Sequence, residues 1–382
     1  MQISKFMTPE IIFGQQAISQ VGESLRRLGA SRVFLVSDAG VASAGWVERV
    51  IDYLDAAHLD YHLWMEVTPN PKDHEIHAGV EAYHQFGGNA ILGVGGGSAI
   101  DAAKAVALLA TNGGRIHQYE GVDHISRPLP PMVMVPTTAG AGSEVSQFSI
   151  IADTERKMKM TIISKSLIPD IAIIDPQTLT TMDKLLTANT GMDALTHAIE
   201  SYLSLAATPL TEVYSLQAMR LISQYLRPSA ASRFNVEAKQ AMAMASLQAG
   251  IAFSNAILGA VHAMSHQLGG LLDLPHGEVN AILLPYVLEH NYIAAPERYQ
   301  KIAEALGENT AGLSMHDSSR LALKAVKELA RDLDIPQSLS SLGLHADQIE
   351  ALSKHALLDV CMATNPRDMS IADVAALFRK AL

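Results

Sequence analysis

The chain has one cysteine, Cys361, in 382 residues. No internal disulfide is possible, and a reducing compartment suits such a chain. Charge is also scarce, 18% of residues against 48% hydrophobic, which describes a well-buried globular chain. The length gives room for two or three domains. Cations are outnumbered, 28 Lys and Arg against 39 Asp and Glu, for a formal net charge of −11. A general nucleic-acid binder needs a basic face, so nucleic acid is not an expected partner. No run of about 18 apolar residues occurs, so no membrane span is expected. The stretch from Met1 to Phe6 lacks the apolar segment of a signal peptide. The expected location is the cytoplasm.

What is present falls into two halves. Up to about residue 184, short apolar runs alternate with amphipathic stretches. Strands are predicted at Arg32 to Asp38, Tyr61 to Val67, Ala90 to Val94 and Met132 to Val135. Helical patterns run from Ala17 to Leu28, Trp46 to Ala57, His74 to Phe86 and Ser98 to Ala110. This alternation implies a Rossmann-like parallel sheet covered on both faces. Beyond that point strand signals almost vanish. Helical periodicity marks Leu185 to Leu203, Thr211 to Tyr225, Glu237 to Asn255, Gly259 to Leu271 and Ser318 to Leu333. The expected organisation is an α/β domain over residues 1–184 and an all-helical domain over residues 185–382.

Two stretches carry chemistry in the first half. Gly95-Gly96-Gly97-Ser98 follows a predicted strand and opens a helix, where backbone N–H groups and the helix dipole favour a phosphate. The plain alternative is a tight turn, with Ser98 and Asp101 at the spacing of a capping box. The pattern departs from the usual dinucleotide fingerprint: serine stands at the third glycine position, and the acidic residue, Asp38, precedes the loop. Asp38 ends an earlier strand. It reads equally well as a helix cap or as a ribose-binding carboxylate that would favour NAD over NADP. Pro136 to Glu144, small and rich in hydroxyls, follows another strand and suits cofactor contacts.

The second half concentrates imidazoles. Asp193 and His197 are four apart on a predicted helix, and His262 and His266 repeat that spacing on another, so each pair shares a face. His276 follows Pro275. One carboxylate with three imidazoles suits a divalent first-row metal: iron, zinc, cobalt or nickel. Residue types alone leave open which of the four histidines stands outside the set.

These motifs together resemble the iron-containing (group III) alcohol dehydrogenases. The likeness rests on Gly95-Gly96-Gly97-Ser98-x-x-Asp101-x-x-Lys104, Pro136-Thr137-Thr138-Ala139-Gly140, Gly191-Met192-Asp193-Ala194-Leu195-Thr196-His197-Ala198-x-Glu200, His262-Ala263-Met264-x-His266-x-Leu268-Gly269 and Pro275-His276-Gly277. It extends to Thr364-Asn365-Pro366-Arg367 near the end of the chain. The resemblance implies a dehydroquinate-synthase-like fold and the reversible NAD(H)-linked oxidation of a small primary alcohol or diol to its aldehyde. A metal, iron first, polarises the substrate oxygen, and hydride passes to the nicotinamide C4. Carried over by position, the metal ligands are Asp193, His197, His262 and His276, which leaves His266 as the catalytic proton handler. Asp38, Asn70, Gly96, Gly97, Ser98, Thr137, Thr138, Lys159 and Leu179 fall on cofactor-contact positions, and Phe148 and Phe253 on the substrate pocket. Ala141 departs from the family's usual threonine, and Phe148 stands where smaller or polar residues are common, which narrows the pocket. A homodimer or higher homo-oligomer is expected. The rival readings are a metal- and NAD-using lyase related to dehydroquinate synthase, and a non-catalytic assembly protein.

Overall fold

The segments at Val33 to Val36, Ala90 to Val94 and Met132 to Val135 are apolar on consecutive residues rather than on alternate ones, the pattern of strands buried on both faces. A computed structural model of the protein, describing residues 5–382, shows what they build. The chain divides into two compact units, Met7–Thr181 and Met182–Leu382, with Phe6 stacked on Tyr214 of the second.

In the first unit the elements run β1 (Glu10–Phe13), α1 (Val21–Arg27), β2 (Arg32–Val36), α2 (Ala39–Ser43), α3 (Trp46–Ala56), β3 (Asp60–Trp64), α4 (Asp73–Phe86), β4 (Ala90–Gly95), α5 (Gly97–Asn112), β5 (Gly121–Val122), β6 (Met132–Pro136), β7 (Phe148–Asp153), β8 (Met158–Ile163) and β9 (Ile171–Ile174). Six strands form one parallel sheet in the order β1-β9-β6-β4-β2-β3. The two-residue period of the strands sorts their side chains into two cores. Phe34, Val36, Ile91, Met132 and Met134 pack with Ile76 and Tyr83 of α4 and Val106 of α5. Val33, Leu35, Leu92, Val94, Val133 and Val135 pack with Leu25 of α1 and with Val47, Val50 and Leu54 of α3.

A second, three-stranded sheet, in the order β5-β8-β7, adds an antiparallel β7–β8 pairing that the sequence pattern does not predict. The capping box expected from Ser98 and Asp101 does not form. Gly96 is the N-cap of α5 without a side-chain bond. Asp101 instead accepts from Ser143 Oγ and from Ile150 N at 3.1 Å, holding the segment that leads into β7.

The second unit is helical: α6 (Lys184–Leu203), α7 (Pro209–Ala231), α8 (Val236–Ala256), α9 (Ala260–Leu272), α10 (His276–Asn291), α11 (Pro296–Ala305), α12 (Met315–Asp332), α13 (Ile349–Ala356) and α14 (Ile371–Ala381). Helix α6 is buried along most of its length and packs against α7, α8 and α10. Helices α8 and α9 meet at 101°. The turn is made at Ile257, whose φ of 61° is rare for a β-branched residue and costs on the order of 1–3 kcal/mol. No single helix among the described residues is long and apolar enough to cross a membrane.

Candidate functional site

The parallel sheet of the α/β unit changes its direction of winding between β2 and β4, the place where such sheets bind ligands beyond their carboxyl ends. Asp38 and the glycine loop both lie at that point. Asp38 follows β2 and caps α2, its Oδ1 accepting from Val41 N at 3.0 Å. The glycine loop joins β4 to α5, and an added Cβ on Gly95 would come within 3.4 Å of Asp38 Oδ2. Asp38 is therefore a cap and a neighbour of the loop at once. Asn70 N donates to Ser98 Oγ at 3.3 Å, and Thr137 N to Gly95 O at 2.9 Å.

Thr138 and Ala141 press on the loop from above. A Cβ on Gly97 would fall 2.9 Å from that of Ala141, so a larger residue at position 97 would push the two segments apart. The 3-10 turn Pro176–Thr181, which carries the buried Leu179, is tied to the end of β6 by Thr178 Oγ1 donating to Pro136 O at 3.0 Å. Lys159 lies buried on β8, in register with Ala152 of β7. Phe148 is buried at the start of β7, and its carbonyl accepts from Lys104 Nζ at 3.0 Å.

Beyond a cap expected of Asp101, sequence reasoning gave no role to the buried charges beneath this surface. Lys104 Nζ also donates to Ser146 O at 2.7 Å. Burial lowers its pKa to about 8, against the attraction of Asp101 and Glu144. Burial likewise raises Glu144 to about 7. The i, i+3 spacing of Asp101 and Lys104 places both on one face of α5 and is the signal that could have found them.

In the helical unit three helices each contribute a pair at i, i+4: Asp193 and His197 on α6, His262 and His266 on α9, His276 and Asn280 on α10. The ligating atoms of Asp193, His262 and His276 lie within 4.8 Å of one another. His262 Nε2 is 3.9 Å from Asp193 Oδ1. That is an inter-ligand distance open to donors each about 2.1 Å from one ion. The His197 ring stacks on His262 at 4.6 Å and on Phe253 at 4.4 Å between centroids. It therefore adjoins the cluster, though its ring nitrogens do not join the three-residue set. The His266 ring stacks on His276 at 5.2 Å and meets His262 edge-on at 6.0 Å. Close approach makes the frame small-residued: a Cβ on Gly277 would sit 2.2 Å from the Asn189 carbonyl oxygen on α6.

The surroundings of these side chains fit a cation. His262 Nδ1 lies 2.6 Å from Glu200 Oε2, so its Nε2 is the nitrogen turned to the cluster. Burial, with His197 alongside, holds the His262 pKa well below its usual value and keeps the ring neutral. Asn280 Nδ2 donates to Asp193 Oδ1 at 2.7 Å and lies 3.2 Å from His262 Nε2. One NH2 group, with its two hydrogens, thus faces two acceptors of the cluster, while Asn280 Oδ1 is buried without a partner. Glu200 also accepts from Val261 N at 2.6 Å and from His262 N at 3.4 Å. Burial raises its carboxyl to about 7 against those amide bonds. Glu200 lies one turn beyond His197, a spacing visible in the sequence. Asp359, 2.8 Å from His266 Nδ1, is 93 residues from its partner, and no local pattern points to it.

Comparison with known proteins agrees across the whole chain. The family model described as iron-containing alcohol dehydrogenase matches residues 8–176, and the C-terminal model of the Fe-containing alcohol dehydrogenase family matches residues 187–382. The NAD-dependent methanol dehydrogenase of Bacillus methanolicus is 41% identical over 377 residues, covering 99% of each chain. The 1,3-propanediol dehydrogenase of Klebsiella pneumoniae is 42% identical over 379 residues, covering 98% of each. A solved 1,3-propanediol oxidoreductase superposes with a TM-score of 0.97 at 42% identity, covering both chains fully.

Proposed function

The chain belongs to the iron-containing alcohol dehydrogenase family, and from that membership we propose how its residues divide the work of metal-dependent, NAD-linked alcohol oxidation. The observation that carries the reading is the convergence of Asp193, His262 and His276 within 4.8 Å, with Glu200 committed to the far nitrogen of His262. Bound there, a divalent metal would polarise the substrate oxygen and lower the pKa of its hydroxyl, and NAD would accept the hydride.

Asp193, His262 and His276 would hold the metal, with His197, stacked on His262, as the fourth ligand. With a divalent ion held by one carboxylate and three imidazoles, the site would carry a net positive charge, which would favour an oxygen anion over a neutral alcohol. Glu200 keeps His262 in the tautomer that ligates, and Asn280 orients Asp193 through its amide. His266 takes the proton that leaves the alcohol. Iron(II) is the proposed metal, although this ligand set also accepts zinc, cobalt or nickel.

Asp38, Asn70, the loop Gly96-Gly97-Ser98, Thr137, Thr138, Lys159 and Leu179 would bind NAD. The Asp38 carboxylate would repel a 2′-phosphate and so select NAD over NADP. Phe148 and Phe253 are the proposed substrate-pocket residues, and the bulk of Phe148 favours a small primary alcohol or diol. The names of the methanol and 1,3-propanediol relatives support that size class. A cytoplasmic homodimer or larger homo-oligomer completes the proposal.

The test is anaerobic purification with metal analysis, followed by a panel of alcohols and aldehydes with NAD(H), read by nicotinamide absorbance. Net NADH formation from short primary alcohols or diols is the expected result. No NADH from any alcohol would favour a lyase. Absence of both metal and cofactor binding would favour an assembly protein. Activity that grows steadily with chain length would overturn the role given to Phe148.

A further inference from the structure

We propose that Asp359 is the positioning residue of His266: it fixes the imidazole as the Nδ1–H tautomer and turns Nε2 toward the histidine cluster. The inference rests on the reading of His266 as the proton handler and adds the group that would make it one.

Asp359 precedes the short 3-10 turn Val360–Thr364 and is held by it. Its Oδ1 accepts from Cys361 N at 2.9 Å, which sets the plane of the carboxylate. Its Oδ2 lies 2.8 Å from His266 Nδ1, and both side chains are 3% exposed. An ionised carboxylate only accepts hydrogen bonds, so the nitrogen facing it carries the proton. Nε2 then keeps its lone pair. Stacking on His276 at 5.2 Å, with planes 15° apart, fixes the second direction of the ring. The imidazole is thus held by a hydrogen bond at one edge and by a parallel ring on one face. A carboxylate behind a histidine that fixes its tautomer is a general way to prepare a base.

The substitution D359N tests this, because the backbone dictates how asparagine must sit. Cys361 N–H still requires an acceptor, so Asn Oδ1 faces it and Nδ2 faces His266. Two donors then oppose each other unless the histidine proton moves to Nε2. Selective 15N-histidine spectra of the zinc-loaded protein report the tautomer, with H266Q identifying the resonances. The expected result is Nδ1–H in the parent and Nε2–H in D359N, with bound zinc unchanged and kcat lower by about 100-fold or more. In an H266Q background, D359N should lower kcat no further.

An unchanged tautomer in D359N would overturn the assignment, as would zinc lost in step with activity. A tautomer that moves while kcat stays the same supports the assignment and removes His266 from proton transfer, so the two ideas fail separately. Should D359N not fold, D359S keeps an acceptor for Cys361 N and removes the carboxylate. It should release the Nδ1–H preference, and a His266 still locked as Nδ1–H would overturn the proposal.

Discussion

Replacing Glu200 by glutamine tests the metal centre without touching a proposed ligand. Both carboxylate oxygens are occupied: Oε1 accepts from Val261 N at 2.6 Å, and Oε2 from His262 Nδ1 at 2.6 Å. Glutamine has the same shape but only one acceptor. If its oxygen faces Val261, its NH2 opposes His262 Nδ1, and the imidazole must move its proton to Nε2, where it can no longer bind a metal. If the amide flips, the Val261 N–H loses its partner at the first turn of α9. One outcome weakens the ligand directly, and the other loosens the helix that carries it. Loss of a partner behind a ligating histidine costs about 10–100-fold in metal affinity, on the order of 1.4–2.8 kcal/mol. A buried donor left unpaired costs about 1–3 kcal/mol of stability. E200Q should therefore bind zinc or iron(II) about 10–100-fold more weakly in competition with a chromophoric chelator, with a lower melting temperature. Metal affinity within about twofold of the parent, in a protein of unchanged circular dichroism, would refute the role of Glu200.

Other predictions separate the remaining roles. His262→Ala should abolish bound metal, whereas His266→Ala should retain it and lose about 10²–10⁴ in turnover; equal metal loss in both would merge the two roles. Asp38→Gly should relax the preference for NAD, at a stability cost of only a few tenths of a kcal/mol, because glycine also serves as an N-cap; an unchanged NAD/NADP ratio of kcat/KM would remove Asp38 from the cofactor site. Glu144 gives a test against pH. Burial raises its folded pKa from 4.5 to about 7, so the folded state holds the extra proton between those values and loses stability as pH rises through them. The melting temperature of E144Q relative to the parent should therefore climb from about pH 4.5 to pH 7 and then level off; parallel curves across that window would contradict the burial argument.

Four strands of the parallel sheet, β2, β3, β4 and β6, were legible in the sequence, the inner ones because they are buried on both faces and so read as continuous apolar runs, whereas β1 and β9 were not. β4 and β6 are the clearest cases, and each ends in a loop whose composition also carries meaning. The three-stranded sheet was not legible. β5 is two residues long, and β7 and β8 carry the buried polar residues Asp153, Lys159 and Thr161, which interrupt the apolar pattern of a strand. Asp101 shows the same limit at one residue. Its spacing from Ser98 suggests a local cap, but Ser143 and Ile150 offer donors from another segment, and the tertiary bonds prevail.

The helical centre divides along the same line. The pairs Asp193/His197 and His262/His266 follow from helical periodicity, which places i and i+4 on one face. The groups behind them obey no such period. Glu200 sits on the face of α6 that carries His197, yet its partner is the first turn of α9, so its role appears only once the two helices pack. Asp359 reaches His266 from a 3-10 turn that no periodic pattern marks. Donors of a metal site cluster in sequence because a helix presents them in register. The groups that fix their tautomers need only reach the outer nitrogen of a ring, and they can come from any element packed behind it. The tautomers of His262 and His266, on which the proposed division between ligand and proton handler depends, are therefore properties of the packed helices and not of the motif.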